Sequence, residues 1–352
     1  MTNANMNGTR GYHVCMDVGG TKIAAVIADE HGRQVSRGYA GSGNMAELGV
    51  ALSSQRIKQA VLDAATRVPG LVLPDPSSQD VRQACPFPVL SAWAGIAGCD
   101  SKADIHRMEA ALKDFFGTTP VRVTNDSLLL SAPILRASAP WGICVVAGTG
   151  SVISGVINED GVPVPFARRG GHGHIFGDEG SAYHLGVTAV RAITNAFNCG
   201  EDLSSSLVVK EICAAVNTDS PGNLPSVLHE LDPDVDLLTA VNRRKLRIAN
   251  LAIPVIASAS SQPDDPLVLE IITETTDVLA GEIAHIVKIA ERKGLAPVSN
   301  ATLSVVGGLI SQPIYMDAVK QALSRVGVVF GDVQLVQDPA GEGAAALAIP
   351  HK

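Results

Sequence analysis

The chain has 352 residues, 46% of them apolar, and 35 acidic against 27 basic side chains give a net charge of −8. That apolar content supplies cores for two domains or one large one. The acidic balance argues against nucleic acid or an anionic membrane as partner, because no surplus of Lys and Arg is present to neutralise phosphates. The cysteines, Cys15, Cys85, Cys99, Cys144, Cys199 and Cys213, are widely spaced without a CxxC or CxC pair. Neither a zinc ribbon nor a disulfide framework is indicated, and a reducing compartment suits them. The polar start "MTNANMNGTRG" has no apolar h-region and no run reaches the ~18 apolar residues of a spanning helix, so a soluble, cytoplasmic protein is expected.

From Tyr12, "YHVCMDVGGTKIAAVIADEHGRQVSRG" reads as strand, Gly/Thr-rich tight turn, strand, acidic-Gly turn and strand. Next, "MAELGVALSSQRIKQAVLDAATRV" places Leu48, Leu52, Val61, Leu62, Ala65 and Val68 at helical spacing. A buried strand "FPVLSAWAGIAG", a helix "KADIHRMEAALKDFFG" closed by Gly117 and a strand "PVRVTND" follow. The opening pattern then returns. From Trp141, "WGICVVAGTGSVISGVINEDGVPVPFA" overlays the first copy without a gap at an offset of 129, setting Cys144 over Cys15, Gly148 over Gly19, Glu159 over Glu30 and Gly161 over Gly32. A helix beginning near Gly180 and a helical insertion over about 200–265 come next. A long helix is then capped by Asp265, with Pro266 at its first position and Gly294 as its stop. The strand "ATLSVVGG", the helix "PIYMDAVKQALSRVG", the strand "VQLVQ" and an Ala-rich helix close the chain. The pattern is α/β, with two similar domains that each open on a three-stranded meander.

Three Gly-rich turns follow strands: "DVGGTK" (17–22), "AGTGS" (147–151) and "VVGGLI" (305–310). Glycine lets backbone amides approach a phosphate with no Cβ in the way, and Thr or Ser adds a hydroxyl donor. None of them is a P-loop or a Rossmann fingerprint. Because the first two stand at one point of a repeated unit, they could grip the β- and γ-phosphates of a nucleotide from both sides. Asp17 ends an apolar strand, where it serves either as acceptor for the amides of Gly19 and Gly20 or as a partner of Mg²⁺ through water. Lys22 fits a phosphate contact and a hairpin surface equally. Asp126 ends "VRVTND". It is either a helix cap or the carboxylate that takes a proton from a nucleophilic hydroxyl at the carboxyl end of a sheet. In "GGHGHIFGDEGSAYHLG", His172 and His174 lack metal spacing and His184 falls inside a helix, which leaves a turn and helix entry with Asp178 and Glu179 near its positive end, alone or combined with a pocket in which Asp178 bonds sugar hydroxyls and the amides around Gly171 form the lining.

Taken in order, "DVGGTK", "VTND", "AGTGS", "GGHGHIFGDEGSAYHLG", "VVGGLI" and "AGEGAAALA" make the chain similar to the N-acetylglucosamine kinase family. That family lies in the superfamily of actin, hexokinases and the seventy-kilodalton heat-shock chaperones, and is related to the activator ATPases of acyl-CoA reductases and dehydratases. The resemblance implies two actin-like (ribonuclease H-like) domains with a nucleotide cleft between them: residues 10–127, joined by a C-terminal helix 338–352, and residues 128–337. It implies ATP- and Mg²⁺-dependent transfer of the γ-phosphoryl to the 6-hydroxyl of an amino sugar, with closure on the substrate about hinges near 126–134 and 337–340. By motif, Asp126 falls on the catalytic Asp and Asn44 of "GSGNM" on a sugar-contacting Asn. Gly98, Thr149, Gly150, Gly171, His172 and Asp178 fall on the sugar or phosphate side. Gly19, Gly20, Thr21 and Lys22 would meet the nucleotide from one side, and Gly148, Thr149, Gly150 and Ser151 from the other. The adenosine is expected near Gly307, Gly308 and Leu309, and the assembly is expected to be a homodimer.

The sequence departs from the family at His172, where a Trp is frequent, and at Leu128, Leu129 and Leu130, where small residues are frequent. These bear on which acceptor is used: N-acetylglucosamine, glucosamine, N-acetylmannosamine or a non-sugar. An activator ATPase would carry a Cys-ligated iron–sulfur cluster, and a nucleotide-switched binding module or filament would hydrolyse ATP slowly and without sugar.

Overall fold

The computed structural model describes residues 11–73 and 84–350. In the first sheet β1 (Tyr12–Val18), β2 (Lys22–Ala28) and β3 (Gln34–Gly41) form an antiparallel meander. Strands β4 (Val89–Ile96) and β5 (Val121–Asn125) add in parallel, giving the order β3-β2-β1-β4-β5. Because β1 is central and covered on both faces, "YHVCMDV" is buried almost throughout rather than alternating with water. Its period of two still sorts the side chains. Val14 and Met16 pack with helices α1 (Met45–Ala65) and α2 (Lys102–Phe116), while Cys15 faces the opposite cluster. Helix α2 starts on a capping box of Ser101 and Asp104 and stops at Gly117, whose φ is 63°. Helix α1 is broken near its start at Gly49, φ 70°.

The opposite face is covered by α3 (Ala132–Arg136) and α11 (Pro339–Leu347), whose Leu135, Ala340 and Ala344 pack against Cys15 and Trp93. Glycine is required at Gly343, since a Cβ there would overlap the Cys15 sulfur. Ion pairs Arg37–Asp338 and Arg136–Glu342 tie α11 to β3 and α3.

The second sheet repeats the plan. Strands β6 (Trp141–Ala147), β7 (Ser151–Glu159) and β8 (Val162–Gly170) form the meander, and β9 (Thr302–Val306) and β10 (Asp332–Leu335) run parallel to β6, in the order β10-β9-β6-β7-β8. Register pairing of Val146 with Val306 brings the turns after β6 and β9 to one edge. The connection from β8 to β9 holds α4 (Ala182–Asn198), α5 (Leu207–Ala215), α6 (Leu224–His229), α7 (Leu237–Ala249), α8 (Ala252–Ser261) and α9 (Pro266–Arg292), and α10 (Pro313–Arg325) leads into β10. Asp265 caps α9, Pro266 opens it, and Gly294 (φ 72°) follows its end, as the sequence pattern predicts. One apolar cluster, including Ile143, Val145, Leu279, Ile283 and Tyr315, fills this half.

Packing divides the chain into two compact units, Met1–Ala139 with Asn158–Pro163 and Val336–Lys352, and Pro140–Ile157 with Val164–Leu335. The first unit runs past residue 127 because Leu129, Ala132 and Leu135 belong to its core. Among the described residues no helix is long and apolar enough to cross a membrane.

Gly186 of α4 touches α7 backbone to backbone, where a Cβ would overlap the Ile248 carbonyl oxygen. Helix propensity alone favours Gly186→Ala by about 1 kcal/mol, but overlap with a carbonyl that cannot rotate away reverses the sign. The variant should lose roughly 1–3 kcal/mol in urea unfolding.

Candidate functional site

In the first unit the residues expected to meet a ligand gather where β1, β4 and β5 end. The Ala97 amide donates to the Val18 carbonyl at 2.8 Å, and the Met45 amide to the Ala97 carbonyl at 2.9 Å, which docks the start of α1 onto the β4 exit. Asn44 caps α1, its Oδ1 accepting the Ala46 amide at 3.0 Å and its Nδ2 donating to Glu47 at 3.1 Å. Gly98 (φ 73°) lies so close to Asn44 that a Cβ would overlap the amide oxygen. Two expected substrate residues are therefore brought together, with the Asn44 side chain already spending one bond in each direction on capping.

Asp126 follows β5 at the first position of a 3-10 turn, Asp126–Ser131. The cap of that turn is Asn125, whose Oδ1 accepts the Ser127 amide at 2.9 Å and the Ser127 hydroxyl at 2.6 Å, while its Nδ2 donates to Asp100 at 2.7 Å. The capping role weighed for Asp126 thus belongs to its neighbour. Asp126 shares the same Ser127 amide through Oδ1, at 2.9 Å, and its Oδ2 accepts no hydrogen bond among the described residues. Burial, and to a lesser degree the charge of Asp100, raise its pKa above the ordinary carboxylate value, with the Ser127 amide opposing.

Asp17 does not receive the turn amides. The Gly19 amide donates to the Lys22 carbonyl at 3.0 Å and the Gly43 amide to the Gly19 carbonyl at 3.0 Å, so the turn closes on itself. Burial first, then the charges of Asp126 and Asp338, push the Asp17 pKa up to about 6 against the pull of Lys22 and Arg37. Gly20, Thr21 and Lys22 are exposed. No group of three or more His, Cys, Asp or Glu among the described residues could cage a metal. A half-buried carboxylate that accepts no hydrogen bond among the described residues, with the charges of Asp126 and Asp338 nearby, is the kind of group that would hold a hydrated Mg²⁺ through its waters.

The second unit holds the other two Gly turns. The Ala182 and Tyr183 amides donate to the Gly148 and Thr149 carbonyls at 2.8 and 3.4 Å, so the α4 start is spent on the "AGTGS" turn rather than offered to an anion. Ser181 caps α4, and His184 accepts the Gly180 amide on Nδ1 at 3.0 Å, a structural role that burial supports by lowering its pKa. Asp178 lies three residues before the Ser181 cap of α4. Its carboxylate is buried, accepts the Ser151 amide at 3.1 Å, and stands 3.1 Å from Lys245 of α7. Sequence reasoning missed Lys245, because one Lys in the run "NRRKLR" carries no signal of its direction. Gly171 (φ 73°) donates to the Ser151 carbonyl at 3.0 Å, and Gly171 and His172 are exposed. A cavity of about 600 Å³ opens between the two turns and α8, lined by Gly148, Thr149, Gly308 and Leu309 with Ala252, Ile253 and Ile256. Its volume and mostly apolar lining are those of a small-molecule site.

Two mixed sheets with the same strand plan, each carrying Gly turns at the ends of its parallel strands, define an actin-like α/β ATPase fold. The chain belongs to the BadF/BadG/BcrA/BcrD ATPase family, whose model matches residues 14–347. It is 36% identical over 104 residues to an N-acetylmuramic acid/N-acetylglucosamine kinase of Clostridium acetobutylicum, covering 30% of this chain and 32% of that one. It is 24% identical over 182 residues to an N-acetyl-D-glucosamine kinase of Dictyostelium discoideum, covering 51% and 53%. These matches thus span about a third and about half of the curated relatives' lengths. The fold is similar to that of a candidate N-acetylglucosamine kinase from Porphyromonas gingivalis, with TM-score 0.57 and 18% identity over 95% of this chain and 98% of that chain. A counterpart from Chromobacterium violaceum gives 0.55 and 19% over 97% and 100%.

The raised pKa of Asp17 has a sign. An unfolded chain ionises this group at its ordinary 3.8 and the folded one at about 6, so the stability present below pH 3.8 is lost as pH rises to about 6. Asp17→Asn should therefore be more stable than the parent at neutral pH by up to about 3 kcal/mol, the gap closing toward pH 4. Urea unfolding at both pH values measures it.

Proposed function

We propose that the protein is an ATP-dependent sugar kinase that transfers the γ-phosphoryl to the 6-hydroxyl of an amino sugar, with N-acetylglucosamine as the favoured acceptor, acting in the cytoplasm as a homodimer. The observation that carries the reading is Asp126: half-buried, raised in pKa, held through one oxygen, with the other free to accept a proton. In the proposed reaction the acceptor hydroxyl gives its proton to this oxygen as its own oxygen bonds to the γ-phosphorus and the bridge to ADP breaks. Asn44, Gly98 and Asp178, with Gly171 and His172, orient the sugar. The turns Gly19–Lys22 and Gly148–Ser151 bind phosphates through backbone amides, and the cavity beside Gly307, Gly308 and Leu309 takes the adenosine. Bound with the nucleotide, Mg²⁺ would neutralise charge on the β- and γ-oxygens, with Asp17 holding its water shell. The relatives' names support a sugar acceptor, and the family supports ATP.

The activator-ATPase reading requires a cluster of thiolates that meet. Here Cys15, Cys99, Cys144 and Cys213 are buried, Cys199 alone is exposed, and burial pushes the Cys85 and Cys144 thiols up to about 12. These residues do not fit an iron–sulfur cluster.

ADP release measured against N-acetylglucosamine, N-acetylmuramic acid, glucosamine and N-acetylmannosamine tests the proposal. Sugar-dependent turnover, highest in kcat/KM with N-acetylglucosamine, is expected, whereas slow hydrolysis indifferent to every sugar points to a nucleotide switch instead. Asp126→Asn should lower kcat by at least ~10²-fold with nucleotide affinity unchanged. In the parent, kcat/KM should fall with acid through a midpoint above the ordinary carboxylate range, since the raised pKa means Asp126 gains its proton early. A variant at near-parental rate removes Asp126 from the mechanism.

A further inference from the structure

We infer that the helical insertion completes the substrate side of the second unit through one side chain, Lys245 of α7, a positioning residue that holds the Asp178 carboxylate against the Gly148–Ser151 turn. The inference rests on the sugar-kinase reading and assigns the insertion a part in it.

Asp178 is an unusual place for a charge. Its side chain is 5% exposed, and its backbone is left-handed at φ 67°, a conformation that costs an L residue energy unless its surroundings enforce it. Oδ1 accepts one hydrogen bond, from the Ser151 amide, and packs so tightly on the turn that a Cβ at Gly150 would lie 2.6 Å from it. Oδ2 accepts no hydrogen bond among the described residues. A carboxylate this deep, with one neutral donor, needs a cation. Lys245 supplies it as an ion pair with Nζ 3.1 Å from Oδ2, off the line of a hydrogen bond.

The other cations of "RRKLR" are engaged elsewhere. Arg243 pairs with Asp232, Arg244 donates to the His229 carbonyl, and Arg247 donates to the carbonyls of Val227, Leu228 and Glu230 at the end of α6. Lys245 alone is aimed at the Gly turn. It is held there by the contact of Gly186 with Ile248, and one turn further along α7 Ala249 lines the nucleotide-sized cavity. The insertion thus reaches Asp178 and the cavity with one helix.

Calorimetric titration of the full chain with N-acetylglucosamine, and separately with a non-hydrolysable ATP analogue, tests this on the parent, Lys245→Met and Lys245→Arg. Lys245→Met should weaken sugar binding at least ~10-fold with nucleotide affinity within about twofold, and Arg should restore most of the loss. Added to Asp178→Asn, it should cost nothing further, because both changes remove one interaction. Should the Met variant not fold, Lys245→Gln is read in the same way. A merely structural pair predicts a lower melting temperature with parental sugar affinity, and that result, or additivity with Asp178→Asn, overturns the inference. If the parent itself binds no sugar, the kinase reading falls and the inference with it; parental sugar binding that Lys245→Met retains overturns the inference alone.

Discussion

Much of the second unit follows from one close approach. Strands β6 and β9 lie side by side in parallel, and where they end the chain at Gly307, φ 130°, passes so near the Ala147 carbonyl that any side chain there would overlap it. The Ile310 amide donates to that same carbonyl at 3.1 Å, locking the two turns to each other. With no Cβ between them, their backbone becomes the wall of a cavity, and the surface offered to a ligand is one of peptide groups. Helices α7 and α8 then add the apolar side that a sheet edge alone cannot provide.

In the first unit the corresponding constraint is electrostatic. Burial is the main cost of ionising Asp17, and the charges of Asp126 and Asp338 add to it. A fold tolerates such a group at the expense of stability, and carboxylates held this way gather where a cation or a proton is to be handled. Arg37, paired with Asp338, offsets part of the charge. The free oxygen of Asp126 exists because Asn125 has taken over the capping of the 3-10 turn.

How far the sequence carried this picture differs by element. The strand plan was legible because each half opens on the same punctuation, and Asp265, Pro266 and Gly294 mark α9 with local chemistry that tertiary context did not override. The three Gly turns were legible as turns. Which side chain capped the 3-10 turn after β5 was not, since Asn125 and Asp126 are both competent caps and only the backbone geometry separates them. The acidic pair Asp178–Glu179 read as a dipole partner of α4, and the bond of Asp178 to the Ser151 amide, 27 residues away in sequence, had no local signal. Lys245 and Asp338 could not be read at all. Their partners lie 67 and 301 residues away in sequence, and no local pattern records a pairing of that range.

The central claim is that the Gly turns and α8 of the second unit form a nucleotide seat, and photolabelling with 8-azido-ATP tests it most directly. The account predicts covalent label within Asn250–Ser260 or Leu309–Gln312, the segments that line the cavity, abolished by excess ATP. Competable label found instead on a second cavity of the same unit, around Tyr183, Asn195 and Leu228, on a third around Glu201, Asp202 and Leu267, or on the first unit, would contradict it.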